Sequence, residues 1–119
     1  MIIWGGVLLA GGAGAVLRFL VDRAVAHLAA RSFPFGTLTV NVSGAALLGL
    51  LGGLALNRHA ALLADTAFIG SYTTFSTWML ETQRLSEERQ LRDAVANVVA
   101  SIVFGIAAAL FGQWIAGRL

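Results

Sequence analysis

Two short stretches hold most of the side chains in this chain that could do chemistry. GTLTVNVSG (36–44) sets one amide, Asn41, among Thr37, Thr39 and Ser43, and GSYTTFSTWML (70–80) carries hydroxyls at Ser71, Tyr72, Thr73, Thr74, Ser76 and Thr77. Amide NH₂ and hydroxyl groups are compact hydrogen-bond donors, the kind that can replace water around an ion. Phe75 fits the same chemistry, because an aromatic ring is negative on its face and positive at its edge. A helix that stopped inside the second stretch would free carbonyls for a cation and N–H groups for an anion. Asn97 and Ser101 repeat the amide-plus-hydroxyl pattern four residues apart, on one helix face. No nucleophile–base pair, metal-ligand spacing or phosphate-binding glycine loop stands beside them, so the residues do not support an enzyme. There is no cysteine, and His27 and His59 fall far apart in connections, where they read as solvated side chains rather than metal ligands.

The elements that position these residues follow from composition. Of the 119 residues, 58% are hydrophobic and only 12% charged, with mean hydropathy +0.82. A soluble domain would be about a quarter charged. The chain reads as an all-α integral membrane protein in a single domain, 1–119. A net charge of +2 with no lysine gives little ground for nucleic-acid binding; the arginines read as membrane-edge anchors. The N-terminal MIIWGGVLLAGGAGAVLRFLV lacks a basic stretch ahead of its apolar run and reads as a retained helix rather than a cleaved signal.

A spanning helix needs roughly 20 apolar residues, and four segments qualify: about 2–21, 36–56, 60–85 and 93–117. The first is expected to continue along the interface towards residue 30. Pro34 suits the approach to the second helix, and RLSEERQLRD (84–93) is the longest hydrophilic connection. Small residues recur through the first two helices (Gly11, Gly12, Gly14; Gly44, Gly49, Gly52, Gly53), which lets backbones approach where lipid removes the hydrophobic drive. Four such helices make a thin bundle, so some of these faces are expected to meet another subunit. Arg23, Arg31, Arg84, Arg89 and Arg92 lie on one side and Arg58 and Arg118 on the other, a bias that places the termini outside.

The third segment is where residue chemistry leaves alternatives open. A glycine followed by β-branched and hydroxyl residues is poor helix material. Non-helical backbone inside a bilayer is tolerated only when buried in protein or lining a polar cavity. The segment either breaks near mid-membrane or continues as a helix whose hydroxyls bond back to carbonyls one turn earlier. Asn41 is likewise either a donor facing an ion path or glue between helices. The acids sit towards segment ends: Asp22 at the end of the first, Asp65 near the start of the third, Glu81 near its close.

With GTLTVNVSG, GSYTTFSTW and the first-helix run GGAGAVLR (11–18) in view, the chain resembles the Fluc (CrcB) fluoride channel family over its whole length. The resemblance implies an antiparallel, dual-topology dimer of four-helix subunits. Two fluoride pathways would run along it, and a sodium ion would be buried at its centre. On the matching motifs, the break falls at 70–74, and the carbonyls of Gly70 and Thr73 from both subunits hold the sodium. Asn41, Phe75, Ser76, Thr77, Trp78 and Ser101 are then expected to line the fluoride pathway, with Arg18 and Glu81 as vestibule or accessory residues.

One position departs from the family pattern: Trp78 stands where a second phenylalanine is usual. Indole keeps a positive edge and adds an N–H donor, but it is bulkier. The function implied is passive, fluoride-selective efflux from the cytoplasm across the inner (plasma) membrane. The partners implied are fluoride, lipid and a second copy or an oppositely inserted homologue. The alternatives are one subunit of a heterodimeric channel, a proton-coupled exporter of the small multidrug-resistance kind, and a non-transporting helical subunit. The exporter needs a carboxylate within the first helix, where only Asp22 is offered.

Overall fold

A computed structural model describes residues 2–29, 33–54 and 57–119, and in these the chain is helical with no strand. The elements are α1 (Ile2–Ala29), α2 (Phe35–Gly53), α3 (Arg58–Ala61), a π-helical run (Leu62–Ile69), α4 (Gly70–Tyr72), α5 (Ser76–Glu87) and α6 (Leu91–Ala116). Three helical stretches, Ile2–Leu28, Phe35–Gly53 and Leu91–Ala116, are long and apolar enough to cross a bilayer. The molecule is a multi-pass membrane protein.

The helix ends have local causes. Pro34 stands immediately before α2, and its carbonyl accepts the Leu38 N–H at 3.1 Å. At α3, the Asn57 side chain caps the first turn by accepting the Ala60 N–H at 2.8 Å. Arg89, with φ 59°, takes the chain out of α5 through the left-handed region. Helix α1 runs on without interruption past Asp22, because 22–29 holds no proline or glycine to stop it. Helix α2 ends at Gly53, and the expected last residues of that span, 55 and 56, lie outside the described residues, as does Arg31.

The most extensive interface joins α2 and α6. Gly49 lies against the Ala109 carbonyl and Gly112 against the Ala46 carbonyl, so a β-carbon at either position would collide with backbone. Backbone-to-backbone approach of this kind supplies the dispersion contacts that hold helices together in lipid. The interior is correspondingly thin: Val40, Leu85, Thr37 and Asn97 are the largest fully buried side chains, while Leu8, Leu9, Phe19, Val103, Phe104 and Leu110 face outward. Arg23 stacks over Phe19 and Arg118 over Trp114, at 5.6 and 4.7 Å to the ring centroids, which suits side chains at a membrane boundary.

Candidate functional site

Between α4 and α5 the backbone leaves the helix. The Thr73 N–H makes the last helical bond, to the Ile69 carbonyl at 2.9 Å, and Thr73 itself is extended at φ −80°, ψ 161°. The departure therefore comes at 73–75, and Gly70 is still helical. Asn41 on α2 meets the departing chain as a second backbone would. Its Nδ2 donates to the Thr74 carbonyl and its Oδ1 accepts the Thr74 N–H, both at 2.8 Å. The Thr74 hydroxyl then accepts the Thr77 N–H at 3.3 Å and caps α5. Gly44, one turn beyond Asn41, gives the extended residue its room, since a β-carbon there would overlap the Thr73 methyl.

The break leaves backbone groups of both signs without partners. Among the described residues, no backbone amide returns to the carbonyls of Gly70, Ser71, Tyr72 or Thr73, and the N–H groups of Phe75, Ser76 and Trp78 meet no backbone carbonyl. Uncommitted neutral oxygens fit a hard monovalent cation, so the donor set at Gly70 and Thr73 suits sodium.

The six hydroxyls of the second stretch divide into two groups. The Tyr72 hydroxyl pairs with Ser43 Oγ on α2 at 2.8 Å, and Ser43 donates onward to the Val40 carbonyl at 3.1 Å. Thr73 Oγ1 bonds back to the Ile69 carbonyl at 3.1 Å, and Thr74 is the cap. Ser71, Ser76 and Thr77 keep their hydroxyls free of partners among the described residues. The hydroxyl-rich run is thus partly fastening and partly uncommitted.

A cavity of about 370 Å³ adjoins the break, lined by Asn41, Asp65, Gly70, Thr73, Phe75 and Trp78 among others. Phe75 is 69% exposed and meets Trp78 edge-on, with ring centroids 5.7 Å apart and planes at 78°. The indole N–H is already committed: Trp78 Nε1 donates to the Asn97 carbonyl on α6 at 3.3 Å. What Trp78 offers the cavity is its ring and not its N–H.

Ser101 is not among the cavity's lining residues; its hydroxyl is buried on α6 without a partner. One turn earlier, fully buried Asn97 donates to Thr82 Oγ1 at 2.8 Å, and Thr82 donates to the Trp78 carbonyl at 2.8 Å. Glu81 lies beside the Thr37 hydroxyl and in the field of Asp22, with Oε1 buried and unpartnered. The Asp22 carboxylate packs against Gly36, so it sits where α1 meets the start of α2. Arg18, on α1, has no ion pair among the described residues and is not brought to Glu81.

Ser43, Tyr72, Thr74, Thr82 and Asp65 belong to this arrangement and are not among the site residues expected from sequence. Ser43 and Asp65 stand out only as polar residues in apolar runs, and nothing in the polar segment around Thr82 sets it apart. The comparison with known families now decides the grouping. The profile of CrcB-like protein, Camphor Resistance (CrcB), matches residues 6–113. The chain belongs to the CrcB family.

Among CrcB relatives, "Fluoride-specific ion channel FluC 2" of Mycobacterium tuberculosis (strain ATCC 25618 / H37Rv) is 70% identical over 114 residues, covering 96% of this chain and 90% of that one. A protein of the same name from Mycolicibacterium paratuberculosis is 71% identical, covering 96% and 93%. "Fluoride-specific ion channel FluC 1" of Leifsonia xyli subsp. xyli is 41% identical, covering 93% and 84%. These CrcB relatives match this chain across nearly its whole length.

Proposed function

We propose that this CrcB-family chain is a fluoride-selective ion channel that lets cytoplasmic fluoride leave passively, down its electrochemical gradient, and so limits fluoride toxicity. It is a channel and not an enzyme, as the names of its relatives indicate. Family membership also sets aside the proton-coupled exporter reading. The single observation that carries the proposal from the geometry is the latched break, with Asn41, Phe75 and Trp78 around one cavity; Ser76 and Thr77 are not among its lining residues.

The mechanism follows from fluoride's size. A small, strongly hydrated anion passes only if compact donors replace its water. Asn41 has one amide hydrogen left after serving Thr74, Ser76 and Thr77 have free hydroxyls, and the largely exposed Phe75 ring carries a positive edge. The unpaired amides of Phe75, Ser76 and Trp78 open α5, where the partial positive charge of a helix N-terminus favours an anion. The carbonyls at the close of α4 have the opposite polarity.

The finer reading places the chain in the plasma membrane as four spans, with the third formed by α3 to α5 and broken at 73–75. Two subunits lie antiparallel, and the Gly70 and Thr73 carbonyls of both hold one sodium ion. When bound, that ion supplies positive field and a link between subunits. The exposure of Phe75 and the position of the cavity beside it support a partner surface there.

Fluoride efflux from liposomes holding only this purified chain tests the proposal, with chloride followed in parallel. Fast fluoride release without chloride is expected. Release only after co-reconstitution with a homologue would assign the chain to a heterodimer, and no release in either case would overturn the channel reading.

A further inference from the structure

Asp65 takes no part in the reading above. It stands on the π-helical run, five residues before Gly70, and its Oδ1 is buried without a hydrogen-bond partner. A carboxylate in the low dielectric of a membrane protein is costly unless it is paired, and such residues mark ion pathways. No arginine or histidine among the described residues is within ion-pair distance of it.

Two cavities share this residue. One, of about 370 Å³, joins Asp65 to Asn41, Gly70 and Thr73. The other, of about 590 Å³, lies at the N-terminal end of α1 and is lined by Trp4, Arg58, His59 and Thr66 together with Asp65. Asp65 is the one acidic residue among those lining either cavity. The i→i+5 bonding of the π-helix ties it to the break, because the Gly70 N–H reaches back to the Asp65 carbonyl. Single π-turns inside helices concentrate at functional sites.

We propose that Asp65 is an anionic ligand for a monovalent cation on its way between the cavity at the N-terminal end of α1 and the freed carbonyls of Gly70 and Thr73. The inference rests on the cation reading given above and deepens it. Four neutral carbonyls offer oxygen donors without charge, whereas a carboxylate on the approach adds Coulomb attraction where the dielectric is low. The buried, unpartnered Oδ1 is the oxygen that would meet the cation.

The test uses purified full-length protein in detergent. Its thermal unfolding is followed as sodium replaces N-methylglucamine at fixed ionic strength, since a ligand bound only by the native state raises the midpoint by mass action. Wild type is expected to gain stability to a plateau. Asp65→Asn is expected to need about ten-fold more sodium, or above, for half the gain, the size of one charge acting over several ångströms. Asp65→Ser, smaller and equally neutral, is expected to behave the same way and carries the measurement should the asparagine variant not fold.

An unchanged sodium requirement in the neutral variants overturns the role of Asp65 while leaving the carbonyl site standing. A wild type indifferent to sodium overturns both. Equal destabilisation of the variants in sodium and in N-methylglucamine would identify a protein cation as the partner of Asp65 and overturn the inference.

Discussion

Aspartate in place of Asn41 exchanges one nitrogen for an oxygen and alters both roles that the side chain fills. In the native pairing, Nδ2 donates to the Thr74 carbonyl and Oδ1 accepts the Thr74 N–H, each at 2.8 Å. Aspartate keeps the second bond but turns an anionic oxygen towards the Thr74 carbonyl. An acceptor left unpaired costs about 1–3 kcal/mol. That is less than the roughly 5–15 kcal/mol by which folded domains are stable, so the chain stays folded. The charge has the larger effect on transport. At an effective dielectric near 20, a charge about 6 Å from a fluoride ion raises its energy by about 2.8 kcal/mol. That corresponds to about a hundred-fold loss of flux. The assay is fluoride efflux from liposomes, with size-exclusion chromatography to verify the fold. Asn41→Ala separates the two roles, because it breaks both bonds and adds no charge, so its flux should fall less than that of Asn41→Asp. Flux of the aspartate variant within about two-fold of wild type would refute the argument. Equal losses for alanine and aspartate would assign Asn41 to the latch alone.

Other substitutions probe neighbouring parts of the site. Phe75→Ile removes the aromatic edge from a side chain that is 69% exposed, so flux should fall at least about ten-fold while thermal stability moves by less than about 0.5 kcal/mol. Trp78→Phe deletes the donor to the Asn97 carbonyl; a loss of about 1 kcal/mol in stability with flux retained is the expected result, measured by thermal unfolding and liposome efflux. Gly44→Ala and Gly70→Ala should behave oppositely. At Gly44 a methyl runs into Thr73, which should cost about 1–3 kcal/mol and reduce flux. At Gly70 the nearest atom to a new β-carbon is the Asp65 carbonyl oxygen at 3.9 Å, so the fold of the subunit should be unchanged by circular dichroism. Any loss of dimer in Gly70→Ala then reports on the partner's approach.

Much of this architecture is legible in the residues, and what is not has identifiable causes. Apolar length alone marks α1, α2 and α6 as spans. The run after Gly70 reads as a weak helix because β-branched and hydroxyl residues gather there, which leaves a break and a continuous helix both open; residues 73–75 lie between α4 and α5. The destination of each hydroxyl was hidden. Whether Tyr72 finds Ser43, or Trp78 finds the Asn97 carbonyl, depends on the rotation of one helix against another, which no single segment specifies. The π-helical run at Leu62–Ile69 was hidden as well, since LLADTAFI is ordinary helix composition and the wider turn has no residue signature. Asp65 therefore reads as a residue near a span's start, and only the fold sets it between two cavities.

The break has to be held open against the helix it interrupts. An unbroken helix would bond the amides of Thr74, Phe75, Ser76, Thr77 and Trp78 to the carbonyls of Gly70 to Thr74, and none of these bonds is present. In their place stand the two Asn41–Thr74 bonds, the Thr74 cap on Thr77 and the Tyr72–Ser43 pair. At about 1 kcal/mol each, the bonds lost and the bonds made nearly cancel. The open conformation is therefore reached at small cost, but only while the fastening side chains stay on α2. Asn41, Ser43 and Gly44 lie within one turn of that helix, so a rotation of α2 that displaced one would displace all three. This explains why the amide expected to face the ion gives half of its bonding capacity to Thr74: backbone ends held apart need a rigid neighbour. The groups left over, carbonyls on one side and amides on the other, are then available to ions of opposite sign within a few residues of each other.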